Sequence, residues 1–301
     1  MASRRAFLRT SALGAVGLGT AEVFRSAARD RAVAAQEDQS GEPARFRYGV
    51  STIMYYDSPL EVALEEIART GCEGVDLWEA PADMPTNHMQ WVWKNRPDRL
   101  REFVESFGLK LWSFSIYWTP GNEHLERLAW LQEAGGQVAV VGGGAAVGQP
   151  VQAGLDALRP LVARAEELGL RVAGENHGGS SLSTIASLRE YVSLAASPAL
   201  GLALAPYHVM GEGESVPEAI EAAGDKLFFL YAWQRAPGLQ ELPGDGTLDF
   251  APVLDALRRV RYNGYVSIFT HTHVPRTEMT QGVVAARQYL ERLAQGLGGQ
   301  S

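Results

Sequence analysis

The sequence predicts an α/β fold, a single (β/α)8 barrel over residues 46–295. Three observations carry that expectation. Short β-rich runs alternate with longer amphipathic stretches from residue 46 to residue 293, the pattern of parallel βα units. Several runs are apolar on both faces, as Val138-Ala139-Val140-Val141 and Leu227-Phe228-Phe229-Leu230 are, which suits strands covered by helices. Eight such units fit, and no Gly-x-Gly-x-x-Gly follows the first strand, so a closed barrel fits better than an open doubly wound sheet.

In chain order the expected strands are Arg47–Ile53, Gly74–Trp78, Leu109–Ile116, Gln137–Val141, Leu170–Gly174, Ala199–Leu204, Leu227–Ala232 and Gly264–Thr270. Ser58-Pro59-Leu60-Glu61 reads as a capping box with proline at the first helical position, and Ser215-Val216-Pro217-Glu218 repeats the pattern with its proline shifted by one. Gly71, Gly108 and Gly169 follow helices, where a left-handed residue is needed before the next strand. Gly142-Gly143-Gly144 is a loop after the fourth strand and on its own a weak phosphate signal.

The N-terminus has a different character. Ser3-Arg4-Arg5-Ala6-Phe7-Leu8-Arg9, followed by an uncharged run of small and apolar residues to Thr20, reads as a twin-arginine export signal, and the run is too short for a stable membrane anchor. Ala32-Val33-Ala34-Ala35 suits cleavage near residue 35. Residues 1–35 are therefore expected to be a signal peptide, 36–45 a polar tether and 296–301 a flexible tail. The expected location is the periplasm or the medium, reached through the twin-arginine machinery, with no membrane anchor after cleavage.

Without the leader the chain keeps 21 basic against 33 acidic residues, a net charge near −12. A nucleic-acid partner is not expected, since no Lys/Arg cluster after residue 45 would displace counterions from phosphates. The one cysteine, Cys72, has no partner for an internal disulfide and reads as a small buried hydrophobe.

In such barrels the chemistry sits at the C-terminal strand ends. Polar residues there are few: Glu175-Asn176-His177 after strand five, Pro206-Tyr207-His208 after strand six, Tyr231 to Arg235 across the end of strand seven, and His271-Thr272-His273 after strand eight. Extended backbone would put Glu175 and His177 on one face, and likewise His271 and His273. Trp91, Trp93, Trp112, Trp118 and Trp233 lie near expected strand ends or in the loop after strand two. An indole at a barrel mouth stacks on the C–H faces of sugar rings, and Trp118 and Trp233 are the best placed for it. Glu79 and Arg235 are candidates for contacting substrate hydroxyls or an anionic group.

Ala165-Glu166-Glu167-Leu168-Gly169-Leu170, Glu175-Asn176-His177, Gly244 to Phe250 and Tyr262-Asn263-Gly264-Tyr265-Val266-Ser267-Ile268 resemble the xylose isomerase-like TIM barrels, the sugar phosphate isomerase/epimerase family, over nearly all of residues 46–293. The resemblance implies a divalent metal held by a Glu after strand five, an Asp after strand six, a His after strand seven and a Glu after strand eight. The two Glu residues also move the substrate proton in the epimerases. Here Glu175 matches the first position, but Ala205, Tyr231 and Phe269 stand at the other three. One carboxylate with waters holds Mg2+ or Mn2+ only weakly, so no metal cofactor is expected.

The expected function is isomerase- or epimerase-like action on a sugar or polyol, with Glu175 as acid/base and His208 as its catalytic partner. His177, Trp118, Trp233, Arg235, Glu79 and His271 are the expected substrate contacts. Two alternatives stay open. One is a barrel that binds a carbohydrate or a protein without catalysis. The other is an enzyme with a rebuilt site of Glu175, His208 and His271, whose imidazoles suit Zn, Cu or Ni. A nuclease of related fold is disfavoured, because it needs many metal ligands and a basic groove.

Replacing Arg4 and Arg5 by Lys is expected to retain the protein in the cytoplasm with its leader uncut, as fractionation and N-terminal sequencing would show. Normal processing of that variant would remove the twin-arginine assignment.

Overall fold

A computed structural model of the chain describes residues 46–80, 86–117, 119 and 123–297. Eight parallel strands close into a barrel in sequence order, β1 pairing with β8 through Arg47 and Tyr265, Tyr48 and Val266, Gly49 and Ser267, and Val50 and Ile268. The strands are β1 Arg47–Ser51, β2 Gly74–Trp78, β3 Lys110–Ser115, β4 Val138–Gly142, β5 Arg171–Glu175, β6 Leu200–Leu204, β7 Leu227–Ala232 and β8 Tyr265–Ile268. Each lies within two residues of its expected bounds at both ends, because apolarity on both faces marks a strand buried on both sides.

The outer helices are α1 Leu60–Arg69, α2 Met89–Asn95, α3 Pro97–Glu105, α4 Glu123–Glu133, α5 Val151–Leu168, α6 Ile185–Leu194, α7 Pro206–Gly211, α8 Val216–Ala223, α9 Phe250–Arg259 and α10 Arg276–Leu297. Helix α5 ends as expected on a left-handed Gly169, which lets two orphan carbonyls bond before β5 begins. The Ser58 capping box does not form: Pro59 caps α1, and the Ser58 hydroxyl turns to Asp57 and Arg276. Ser215 does cap α8, accepting from Glu218 N at 3.4 Å. Helix α10 runs to Leu297, whose carbonyl accepts from Arg258 at 3.1 Å, so Gly296 and Leu297 are helical rather than part of a flexible tail. The expected leader and tether lie outside the described residues.

Cys72 is buried, as expected, and desolvation pushes its thiol up to about 12. Among the described residues no helix is long and apolar enough to cross a membrane.

One close approach holds the end of β5 in place. A Cβ on Gly174 would lie 2.6 Å from the Tyr191 phenol oxygen of α6 and 2.9 Å from Gly143 Cα. Tyr191 in turn donates to the carbonyl of Gly201 at 3.3 Å. Gly174→Ala is therefore expected to destabilise by about 1–3 kcal/mol, lowering Tm by several degrees. Gly142→Ala, whose Cβ would meet nothing within 4 Å, serves as the control and is expected to leave Tm nearly unchanged. Equal melting of the two variants would show that the contact does not matter.

Candidate active site

The barrel interior holds a carboxylate halfway along β2. Asp76 pairs in register with Ser51 of β1 and Ser113 of β3, and paired residues of parallel strands share a face, so three polar side chains meet inside. Ser51 Oγ donates to Asp76 at 2.6 Å, Ser113 Oγ at 2.7 Å and Ser115 Oγ at 2.9 Å. Burial raises the Asp76 carboxyl to about 6, and the three serine bonds limit the rise.

The hydroxyls continue across the barrel. Ser115 Oγ lies 3.0 Å from the phenol oxygen of Tyr231 on β7, and Tyr231 lies 3.2 Å from the phenol oxygen of Tyr117. Tyr117 donates to Glu175 at the end of β5. Burial pushes Glu175 up to about 7; the Tyr117 bond opposes this and the charge of Asp76 adds to it. Burial likewise raises both phenols well above their ordinary value, so they stay protonated and remain donors.

Aromatic rings crowd the C-terminal strand ends. Trp78 stacks on Phe269 with centroids 5.3 Å apart, and Tyr231 and Trp233 meet the same Phe269 at 4.8 and 5.2 Å. Trp233 is stacked on Tyr207 at 4.1 Å and donates through Nε1 to Glu241 at 3.0 Å. Glu241 also accepts from the Thr270 hydroxyl and from His271 N at 3.2 Å, which ties the loop after β7 to the loop after β8. Asn176 makes a similar bracket, accepting from Ala205 N at 2.7 Å, so the end of β5 and the start of α7 are joined.

Imidazoles complete the rim. His208 on α7 lies 4.1 Å from the His177 ring and meets Trp233 edge-on at 5.4 Å. Burial lowers His208 to about 3, and the charges of His177, His271 and Arg235 act in the same direction. His271 lies 5.1 Å from Trp233 and is lowered mainly by burial, against the charge of Glu241.

Of the expected residues, Glu175, His208, Trp233 and His271 face this one end, with Arg235 exposed beside Tyr207, its Cζ 5.5 Å from that ring. Other expectations need correction. Because β5 ends at Glu175, His177 turns outward onto His208 and does not share a face with Glu175. Because β8 ends at Ile268, His271 and His273 diverge, and His273 packs on Tyr56 at 4.0 Å. Glu79 is engaged within the fold and not presented at this end: it is buried in an ion pair with Arg127 at 3.1 Å and accepts from Thr119. Trp112 lies against Tyr265 and Arg47, Trp91 stacks on Phe103, and Trp93 packs on Arg127, so these three serve the shell of the barrel. Trp118 lies outside the described residues.

Asp76, Ser115 and Tyr117 were not singled out from the sequence. The available signal was an acid in the middle of the apolar strand Gly74-Val75-Asp76-Leu77-Trp78, since an unpaired carboxylate there would be costly. Ala205, Tyr231 and Phe269 are buried at the ends of β6, β7 and β8, offering a methyl group, a phenol already in the hydroxyl chain and an apolar ring. Among the described residues no three His, Cys, Asp or Glu side chains are grouped to hold a metal ion, so Glu175, His208 and His271 do not form such a set.

A model of the xylose isomerase-like TIM barrel family matches residues 64–293. Inosose dehydratases of Lacticaseibacillus casei and its strain BL23 are each 22% identical over 155 residues, 44% of this chain, and the chain spans 51% of the length of these curated relatives. Among solved structures, 3-keto-D-glucoside 4-epimerase YcjR from E. coli aligns with TM-score 0.65 and 18% identity over 81% of this chain and 100% of its own. An L-ribulose 3-epimerase aligns with TM-score 0.66 and 20% identity over 84% and 95%. The zinc-bound IOLI protein aligns with TM-score 0.66 and 16% identity over 83% and 99%. At these identities the likeness is one of fold.

The raised carboxyl of Glu175 makes a testable statement about stability. The folded chain holds a proton that the unfolded chain has released, so its contribution to stability falls as pH rises from about 4.5 through about 7 and is level above that. Glu175→Gln is expected to stabilise the fold at pH 8 by up to about 3 kcal/mol and to change little at pH 4. Chemical denaturation at both pH values checks this; a variant destabilised equally at both would contradict it.

Proposed function

Because the chain belongs to the xylose isomerase-like TIM barrel family, we propose that it acts on a carbohydrate or polyol at the C-terminal end of its barrel, with Glu175 as the proton-transferring group. The observation that carries this reading is the setting of Glu175. Its register partner on β4 is Gly142, which is exposed and has open space where a Cβ would stand. A carboxyl held near 7 is present in both protonation states at neutral pH, so it can give a proton to one atom and take one from another. Tyr117 fixes its orientation, and the neutral imidazole of His208 offers a second site of proton exchange. The carbohydrate class is supported by the sugar epimerases and inosose dehydratases that the chain resembles.

The divalent ion implied by the resemblance does not fit the residues present. Such an ion wants about six ligands with two or more carboxylates, and only Glu175 stands among Ala205, Tyr231 and Phe269. We therefore assign the proton transfer to Glu175 without a metal at that position. The reading of Ser3 to Arg9 as a twin-arginine signal supports action in the periplasm.

A second reading is binding without turnover. The three serine bonds on Asp76 favour it, since they hold the other interior carboxylate away from any ligand and leave Glu175 without a second carboxylate base.

Incubation with ketoses, inososes and polyols in D2O, followed by NMR, separates the readings. The expected result is deuterium entry at a carbon next to a carbonyl, lost in Glu175→Gln, lost in Gly142→Leu, and unchanged by a chelator. Ligand binding with no exchange would favour the second reading, and exchange that the chelator abolishes would overturn the metal-free assignment.

A further inference from the structure

We propose that Asp76 is a positioning residue for the proton transfer assigned to Glu175: through Ser115, Tyr231 and Tyr117 the two buried carboxyls hold one proton between them, and it crosses the barrel from one to the other. This rests on the reading of Glu175 above and supplies its second carboxyl. Asp76 is buried among three serine hydroxyls and acts only through Glu175.

Four links join the two carboxyls. Asp76 meets Ser115 at 2.9 Å, Ser115 meets Tyr231 at 3.0 Å, Tyr231 meets Tyr117 at 3.2 Å, and Tyr117 meets Glu175. A hydroxyl carries one proton and two lone pairs, so Ser115, Tyr231 and Tyr117 bring three protons to those four links. With both carboxyls ionised, Ser115 and Tyr117 donate outward, and Tyr231 has one proton for two oxygens. One further proton on either carboxyl fills all four links, every hydroxyl then donating in the same direction. Yet another would be the fifth proton on four links and would set two donors against each other. Only the state with one carboxyl proton satisfies every member, and in a buried network an unmade bond is costly.

That proton travels by a shift along the chain. When it sits on Glu175, Glu175 donates to Tyr117, Tyr117 to Tyr231, Tyr231 to Ser115 and Ser115 to Asp76. If each proton hops one link, four O–H bonds break and four form, and each electron pair stays on its oxygen. Asp76 ends as the acid and Glu175 as the carboxylate, with no co-reactant. Ser51 and Ser113 also donate to Asp76, so the charge settles there and the proton rests on Glu175. Burial acts in the same sense, raising Glu175 to about 7 and Asp76 to about 6. Glu175 thus meets the ligand as an acid, and the shift to Asp76 turns it into a base.

Among the described residues, the titratable groups bearing on these side chains are one another. Asp76 and Tyr117 act on Glu175, Glu175 and Tyr231 on Tyr117, both carboxyls on Tyr231, and serine hydroxyls on Asp76. The rings of Trp78, Phe229 and Phe269 pack around Tyr231, which is fully buried.

Carbon-13 NMR of protein labelled at its Asp and Glu carboxyl carbons follows both groups, with Asp76→Asn and Glu175→Gln identifying the two signals. The expected result is that the Asp76 and Glu175 signals share their midpoints as pH is varied, as coupled sites do. Tyr231→Phe keeps the ring and removes the middle proton. Each signal should then titrate by itself, and the Glu175 midpoint should fall by about one pH unit, a tenfold loss of proton affinity. The pH profile of deuterium exchange should move down with that midpoint. Ser115→Ala, at a side chain bonded to Asp76 and Tyr231, should lower the Glu175 midpoint in the same way and stands in for Tyr231→Phe where that variant does not fold. Shared midpoints that survive either substitution would show that charge alone couples the two carboxyls, and separate midpoints in the unaltered protein would show no coupling; each overturns the inference. An exchange profile that stays in place while the midpoint moves overturns the positioning role. The titration needs no ligand, so these results leave the carbohydrate reading standing, and that reading falls separately when no ketose, inosose or polyol exchanges deuterium.

Discussion

A carboxylate inside a closed barrel has no water to turn to, and the way this chain satisfies Asp76 organises its interior. Three hydroxyls from two neighbouring strands reach that carboxylate, at positions set by register. Ser51, Ser113 and Ser115 are small enough to leave room, and Ser115 passes its second bond to Tyr231 on the far side. From there the phenol of Tyr117 reaches Glu175, and the single Tyr231 proton is shared between Ser115 and Tyr117, the link between the carboxylates on β2 and β5 in this set of bonds. A set of that kind is stabilising when each member has its partner and costly when one is removed.

Above this polar layer aromatic rings close the C-terminal end of the barrel. Phe269 is held between Trp78 and Trp233, and Tyr231 is both ring and donor. Burial at this end of the barrel is what raises the Glu175 carboxyl, with the Tyr117 bond opposing it.

Much of the fold was legible in the residues, and less of the site. Strands such as Leu227–Ala232 announce themselves because both faces are buried, and Gly169 marks a helix end because its backbone is left-handed. Glu175, His208 and Trp233 were legible as polar or aromatic groups at strand ends. Glu79 was misread because its partner Arg127 is 48 residues away, on a helix whose approach no local pattern reveals. His177 and His273 were misread because the strands stop one or two residues earlier than an extended reading assumes. Asp76 was passed over because attention went to strand ends, whereas its meaning depends on serines brought in by register.

Asn176 bridges Glu175's strand and His208's helix through a single side chain, with both its amide atoms spent on Ala205. The acid on one side of that bridge and the imidazole on the other are consequently parts of one rigid body. Whatever loop motion accompanies ligand entry, their mutual geometry is settled during folding and not on encounter. For the proton exchange proposed at these two groups, the entropy of bringing them together has then been spent before the ligand arrives, and such pre-alignment is worth orders of magnitude in effective concentration.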